Sequence, residues 1–126
     1  MPDRISFITH HGKPIMVIDL SHCEPKEILL LLEEAQHTVA RHERGSLLTL
    51  ADLTGAHMDR DVVTRMKEVL VRDKPFVKRS AWIGAESIPR VYYENMKSFT
   101  QREFPLFPTR EAAMDYLVKD DDKSQE

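Results

Sequence analysis

Apolar and polar residues alternate over positions 4–10 and again over 14–20, on either side of His11-Gly12. A period of two broken by so short a spacer predicts an antiparallel hairpin. From Pro25 the period lengthens: Ile28, Leu31, Leu32, Ala35 and Val39 recur at helical spacing, so a helix is expected from Pro25 to about residue 44. Pro25 suits its first turn, Glu24 and Glu27 suit the positive end of its dipole, and Gly45 is a natural stop. Leu29 and Leu30 lie beside this stripe, where they widen the core face or offer a subunit contact, the first being the commoner outcome. Residues 47–53 are almost continuously apolar. That is how a strand covered on both faces reads, and it places this one at the centre of a sheet.

Asp59 then suits the cap of a second helix with Val62, Val63, Met66, Val69 and Leu70 inward, stopping before Lys74-Pro75. Residues 77–83 predict a fourth strand ended by Gly84. Ser87 is expected to cap a third helix with Pro89 in its first turn and Ile88, Val91, Tyr92, Met96 and Phe99 inward. A short fifth strand over 103–107 leads to Thr109, the expected cap of a last helix that buries Ala112, Ala113, Tyr116 and Leu117. From Asp120 the chain is charged and is expected to be a disordered tail over 120–126. The order ββαβαβαβα predicts an α/β fold: a mixed, mostly parallel five-stranded sheet packed with four helices, in one domain over 1–119.

Composition narrows the classes. With 126 residues, 41% hydrophobic and 31% charged, the chain can bury a core without metals or disulfides. The longest apolar run, 28–32, is far too short for a membrane span. No leader pattern opens the sequence and its single cysteine, Cys23, has no internal partner, so a reducing, cytoplasmic setting is expected. Eighteen basic against 21 acidic residues, net −3, argue against nucleic acid as a partner. Lys74, Lys78 and Arg79 form a local basic cluster, which reads as a solvated strand end.

Candidate function gathers at residues 52–61, where the third strand turns into the second helix, because ligands and partners meet parallel sheets at the carboxyl ends of the strands. The candidate partner-binding residues are Asp52, Thr54, Gly55, His57, Asp59, Arg60 and Asp61. His22 and Cys23 end the neighbouring strand, so imidazoles, a thiol and carboxylates are expected on one rim. They lack the paired short spacings of a zinc site and the third orienting group of a Cys-His nucleophile, so no metal, cofactor or catalytic residue is expected. His10-His11 falls in the hairpin turn at the other end. Aromatic residues concentrate in the second half, and Trp82, Tyr92, Met96 and Phe99 are the candidate lining of an apolar ligand pocket, although such residues are more often core.

The element order, the Asp52-Leu53-Thr54-Gly55 to Met58-Asp59 turn, Ala81-Trp82-Ile83-Gly84 at a strand end and the segment from Phe107-Pro108-Thr109 to Tyr116-Leu117 together resemble the STAS domain, in particular the SpoIIAA-like, STAS/SEC14 group of bacterial proteins. The resemblance covers nearly the whole chain up to about Lys119. It implies a bacterial, non-enzymatic regulatory module that binds a protein partner or a second copy of itself; the SEC14 side of the group implies, as the alternative, a binder of lipid or small apolar ligands. In the anti-sigma-factor antagonists of that fold a serine after the Met-Asp pair is phosphorylated and switches binding. Arg60 and Asp61 stand there instead, so the usual phosphorylatable serine is missing; Thr54 and Thr64 are the nearest hydroxyls.

Overall fold

The computed structural model describes residues 4–119; the charged segment expected as a tail lies outside them. The hairpin forms as β1 (Ile5–His10) and β2 (Lys13–Asp19), followed by α1 (Pro25–Val39), β3 (Leu47–Asp52), α2 (Arg60–Asp73), β4 (Val77–Ile83), α3 (Arg90–Thr100), β5 (Leu106–Phe107) and α4 (Arg110–Val118). The sheet order is β1-β2-β3-β4-β5, with β1 antiparallel to β2 and every later pair parallel. The fold is therefore α/β with a mixed five-stranded sheet and four helices, and β3 is its central strand.

Because the parallel strands follow one another in chain order, successive crossovers of one hand put their helices on one face. Leu20, Ile28 and Leu32 meet Val62, Met66, Trp82, Met96 and Phe104 there. Helix α4 covers the other face, where Ala113 and Leu117 pack on Ile15, Val17, Leu48, Leu50, Ala81 and Ile83. Five of the six β3 residues are buried, as a strand between two helical layers requires.

Several expectations need correction. Helix α1 stops at Val39, not near residue 44, because 40–44 (Ala-Arg-His-Glu-Arg) carries nothing to bury; the chain instead turns through Gly45 at φ +70°, whose N–H donates to Pro75 O over 2.9 Å. Leu31 is only half-buried, and Leu30 is 69% exposed while Leu29 packs on the core. Ser87 does not cap α3. A short 3-10 turn, Ala85–Ser87, uses up that segment, Pro89 is extended, and the helix begins at Arg90. The later start rotates the stripe: Tyr93, Met96 and Thr100 point inward, whereas Val91 and Phe99 are 67% and 56% exposed. Strand β5 shrinks to two residues, since Pro105 has no N–H to give the ladder and can only accept, at 3.0 Å from Trp82 N. Thr109 does cap α4, accepting from Ala112 N at 3.1 Å, but Val118 joins Ala113 and Leu117 inside while Ala112 and Tyr116 stay half-buried.

Candidate functional site

Strands β2 and β3 end side by side, with Asp19 opposite Asp52. Each aspartate opens the same turn. Asp19 Oδ1 accepts from Ser21 N at 3.0 Å and Ser21 Oγ at 2.6 Å; Asp52 Oδ1 accepts from Thr54 N at 3.0 Å and Thr54 Oγ1 at 2.7 Å. Asp-Leu-Ser and Asp-Leu-Thr are thus one device used twice, an Asx turn that keeps a strand end closed while the intervening leucine, Leu20 or Leu53, is fully buried. Arginines from distant parts of the chain flank the pair: Arg4 Nη1 is 3.7 Å from Asp19 Oδ1 and Arg110 Nη2 is 3.8 Å from Asp52 Oδ2. Burial alone pushes the Asp19 carboxyl up, but hydrogen bonds from Ser21 and the charges of Arg4 and Arg110 outweigh it and hold the group below the ordinary carboxylate value. No sequence spacing points to either arginine, whereas the repeated Asp-Leu-Ser/Thr is a visible sequence signal.

The loop after β3 is tied from three sides. His22 N donates to Thr54 O at 2.8 Å and His57 N to Cys23 O at 3.0 Å. Ser87 Oγ, freed from capping, reaches Leu53 O and Ala56 O at 3.2 and 3.3 Å. Gly55, at φ +66°, lies against the His22 ring, and Gly84, at φ +70°, lies against Thr54. The chain then enters α2 through Asp59, whose Oδ1 accepts from Val62 N at 2.8 Å. His57 Nδ1 pairs with Glu24 Oε2 at 3.1 Å on the open surface. Asp52, Thr54, Gly55, His57 and Asp59 therefore build and hold the loop, while Arg60 and Asp61 stand exposed in the first turn of α2.

What this rim can do chemically is limited. Cys23 is fully buried, and burial pushes its thiol pKa up, the opposite of an activated nucleophile. Among the described residues, no three of His22, Cys23, His57, Asp59 and Asp61 bring ligand atoms within 4.8 Å of one another. Next to the rim, a surface groove of about 250 Å³ is lined by Ile88, Tyr93, Leu106 and Phe107 with Glu86 and Arg90 at its edge.

The alternative ligand residues do not converge. Trp82 stacks on Phe104 at 4.5 Å and meets Tyr93 edge-on at 5.8 Å; Met96 is fully buried, Tyr92 half-buried, and Phe99 lies outside beneath Lys67, whose Nζ is 4.9 Å from the ring centre. The cavity between the sheet and helices α1 and α2 is lined by Trp82 but by none of the other three. It holds about 40 Å³ for water-sized occupants, room for about three waters and not for an acyl chain. Nothing in the sequence pattern points to its polar end. Arg102 Nη1 donates to Leu70 O at 2.9 Å and Nη2 to Ser80 Oγ at 2.7 Å, and Ser80 in turn bonds Thr49 at 2.8 Å. Buried Asp73 lines the same cavity. Burial, only partly offset by the Arg102 charge, raises its carboxyl pKa to about 6, and burial lowers that of Arg102 to about 10. Of the basic cluster, Lys74 Nζ donates to Thr100 O and Arg79 Nη1 to Leu117 O and Lys119 O, so both serve helix ends.

No protein-family model matches the sequence, and no curated protein matches it significantly. Among solved structures, the chain is similar to a protein from Shewanella loihica PV-4, described as an uncharacterized protein from the DUF3478 family with a SpoIIAA-like fold. The two superpose with a TM-score of 0.69 over 90% of this chain and 92% of that one, at 16% identity. A likeness at that identity is a likeness of fold.

Proposed function

For a chain with the SpoIIAA-like fold of STAS domains, we propose a non-enzymatic regulatory role in which the 52–61 rim binds a protein partner. The observation that carries this reading is the contrast within the rim: a loop fixed by backbone and side-chain hydrogen bonds presents two exposed charges, Arg60 and Asp61, that have no ion pair or side-chain hydrogen bond among the described residues. A preformed loop loses little conformational freedom on docking, so its free charges and the neighbouring apolar groove can serve recognition. Asp61 places a permanent negative charge near the positive end of α2. It stands in for a phosphate with less charge and fewer acceptor oxygens, which makes binding constitutive instead of switched. Within this reading the protein acts in a bacterial cytoplasm and performs no chemistry of its own.

The test is quantitative recovery of partners by mass spectrometry after gentle purification from the native host. The double variant D59N/D61N removes both charges yet keeps the cap, since an asparagine oxygen accepts the same N–H. Partner recovery is expected to fall about tenfold while the melting temperature moves by no more than about 3 °C. F99A, on the exposed face of α3 beneath Lys67, should leave recovery unchanged. Unaltered recovery in the double variant would remove the rim as the binding surface.

A further inference from the structure

At the end of the sheet opposite the rim, the hairpin turn carries His10 and His11. Adjacent residues of a strand point to opposite faces, so two consecutive histidines ordinarily cannot act together. Here the strand ends at His10, His11 enters the left-handed region at φ +51°, and Gly12 follows at φ +80°. The turn swings the second ring round until the two imidazoles stack, centroids 4.1 Å apart and planes 17° from parallel. Helix α4 adds a carboxylate from across the fold: Asp115 Oδ1 is 2.7 Å from His10 Nε2. One ligand atom from each of the three residues lies within 4.8 Å of the other two. Among the described residues no other group of histidine, cysteine or carboxylate side chains does so.

We propose that His10, His11 and Asp115 form a surface site for a borderline divalent transition metal, with Zn²⁺ as the ion best matched to two imidazoles and one carboxylate. Three protein donors leave one tetrahedral position for water. Donors sharing one zinc at bonds of roughly 2.0–2.1 Å stand about 3.3 Å apart, so His10 Nε2 and Asp115 Oδ1, 2.7 Å apart, must open slightly while the His11 ring turns out of the stack and closes on them. His11 and Asp115 are both exposed, while His10 is half-buried, so the two outer ligands have the freedom to adjust about the inner one. Lys13, opposite His10 in the ladder, donates its ammonium to Val118 O at 2.9 Å. An ion bound here ties the β1–β2 turn to α4, the helix that covers that face of the sheet, and so stabilises the packing of α4. This site is separate from the rim, and its test does not depend on the partner reading.

The experiment is a titration of the chelator-stripped full chain with zinc sulfate at pH 7.5, followed by calorimetry and by thermal melting. Binding of one ion with a dissociation constant on the order of micromolar, and a rise of about 5 °C in melting temperature at saturating metal, are expected. H11A and D115N should each weaken binding about tenfold or more and abolish the metal-dependent rise. Neither residue is buried, and the amide that D115N introduces keeps an oxygen for His10, so both variants should fold. H37A, which removes an exposed histidine from α1, should bind as the wild type does. Zinc affinity unchanged in both H11A and D115N, or no saturable binding below about 1 mM, overturns the site and reduces the cluster to an ion pair beside a stacked ring.

Discussion

Arg102→Met is expected to destabilise the protein by about 3–5 kcal/mol at pH 8, since it removes two part-buried hydrogen bonds and leaves the ionised, buried Asp73 carboxylate without the positive charge that offsets its desolvation. Arg102 connects three things: the Leu70 carbonyl at the end of α2, the Ser80–Thr49 hydroxyl pair under the sheet, and the electrostatic field at Asp73. Methionine keeps much of the volume and replaces none of these. The pH dependence identifies the electrostatic part. The Asp73 carboxyl binds its proton more tightly in the folded state, with a pKa of about 6 against 3.8. A raised carboxyl pKa contributes stability that is fully present below the unfolded value of 3.8 and is lost as pH rises through about 6. Above that pH the ionised group costs roughly 3 kcal/mol, since each pH unit between the folded and unfolded values is worth about 1.4 kcal/mol.

Removing Arg102 takes away the charge that restrains the rise at Asp73, so the deficit of the single variant should grow from pH 5 to pH 8. The double variant R102M/D73N should recover most of it, and Asp73→Asn alone should be more stable than the wild type at pH 8 by about 1–3 kcal/mol. Urea unfolding of the four proteins at the two pH values measures all of this. A deficit for R102M that is equal at both pH values, and is not relieved by D73N, would show that the loss comes from packing and the Leu70 and Ser80 hydrogen bonds alone.

Gly84→Ala is expected to cost about 2–5 kcal/mol. The left-handed conformation at φ +70° accounts for about 1–2 kcal/mol of this in any residue with a Cβ. The remainder comes from what that Cβ meets: Thr54, at 2.5 Å from its N and 2.7 Å from its Cα. Those are backbone atoms of the loop tied by Asp52, His22 and neighbouring Ser87 bonds, so relief requires moving the loop itself. Gly55→Ala is the control. Its φ is +66°, but its new Cβ meets the exposed His22 ring, 2.7 Å from Cε1, and a side chain can rotate away. G55A should therefore show only the conformational cost of about 1–2 kcal/mol. Equilibrium unfolding compares the two directly, and G84A should also lower partner recovery by displacing the rim. Near-equal losses for the two alanine variants would mean that the β4 turn does not press on the β3 loop.

Elements bounded by local physics are legible in the sequence. The boundaries of α2 are legible because Asp59 supplies its own cap and Lys74-Pro75 its own stop, both within one turn of the helix they bound. The central place of β3 is legible because covering a strand on both faces removes its alternation. Where a boundary depends on distant contacts it is not legible: α3 begins late because Ser87 is drawn to Leu53 and Ala56, and the inward stripe turns with it. The candidate rim was locatable for the same reason as α2, since a strand that turns into an acid-capped helix is a local pattern. Its flanking arginines were not, because Arg4 and Arg110 are separated from the residues they face by 15 and 58 positions, the latter counted from Asp52 to Arg110.

By itself, then, the order of apolar periods and turn residues determined the fold class, the order of the elements and the strand-to-helix turn at residues 52–61, because each rests on interactions within a few residues along the chain. Only the tertiary structure decided which side chains share a space. The Asp73–Arg102 pair joins the end of α2 to the loop after α3, and the His10-His11-Asp115 cluster joins a hairpin turn to a helix about a hundred residues on. No period or spacing encodes such pairings. They exist because packing two helical layers on one twisted sheet brings its ends and edges together, and burial then sets how strongly each charge is felt.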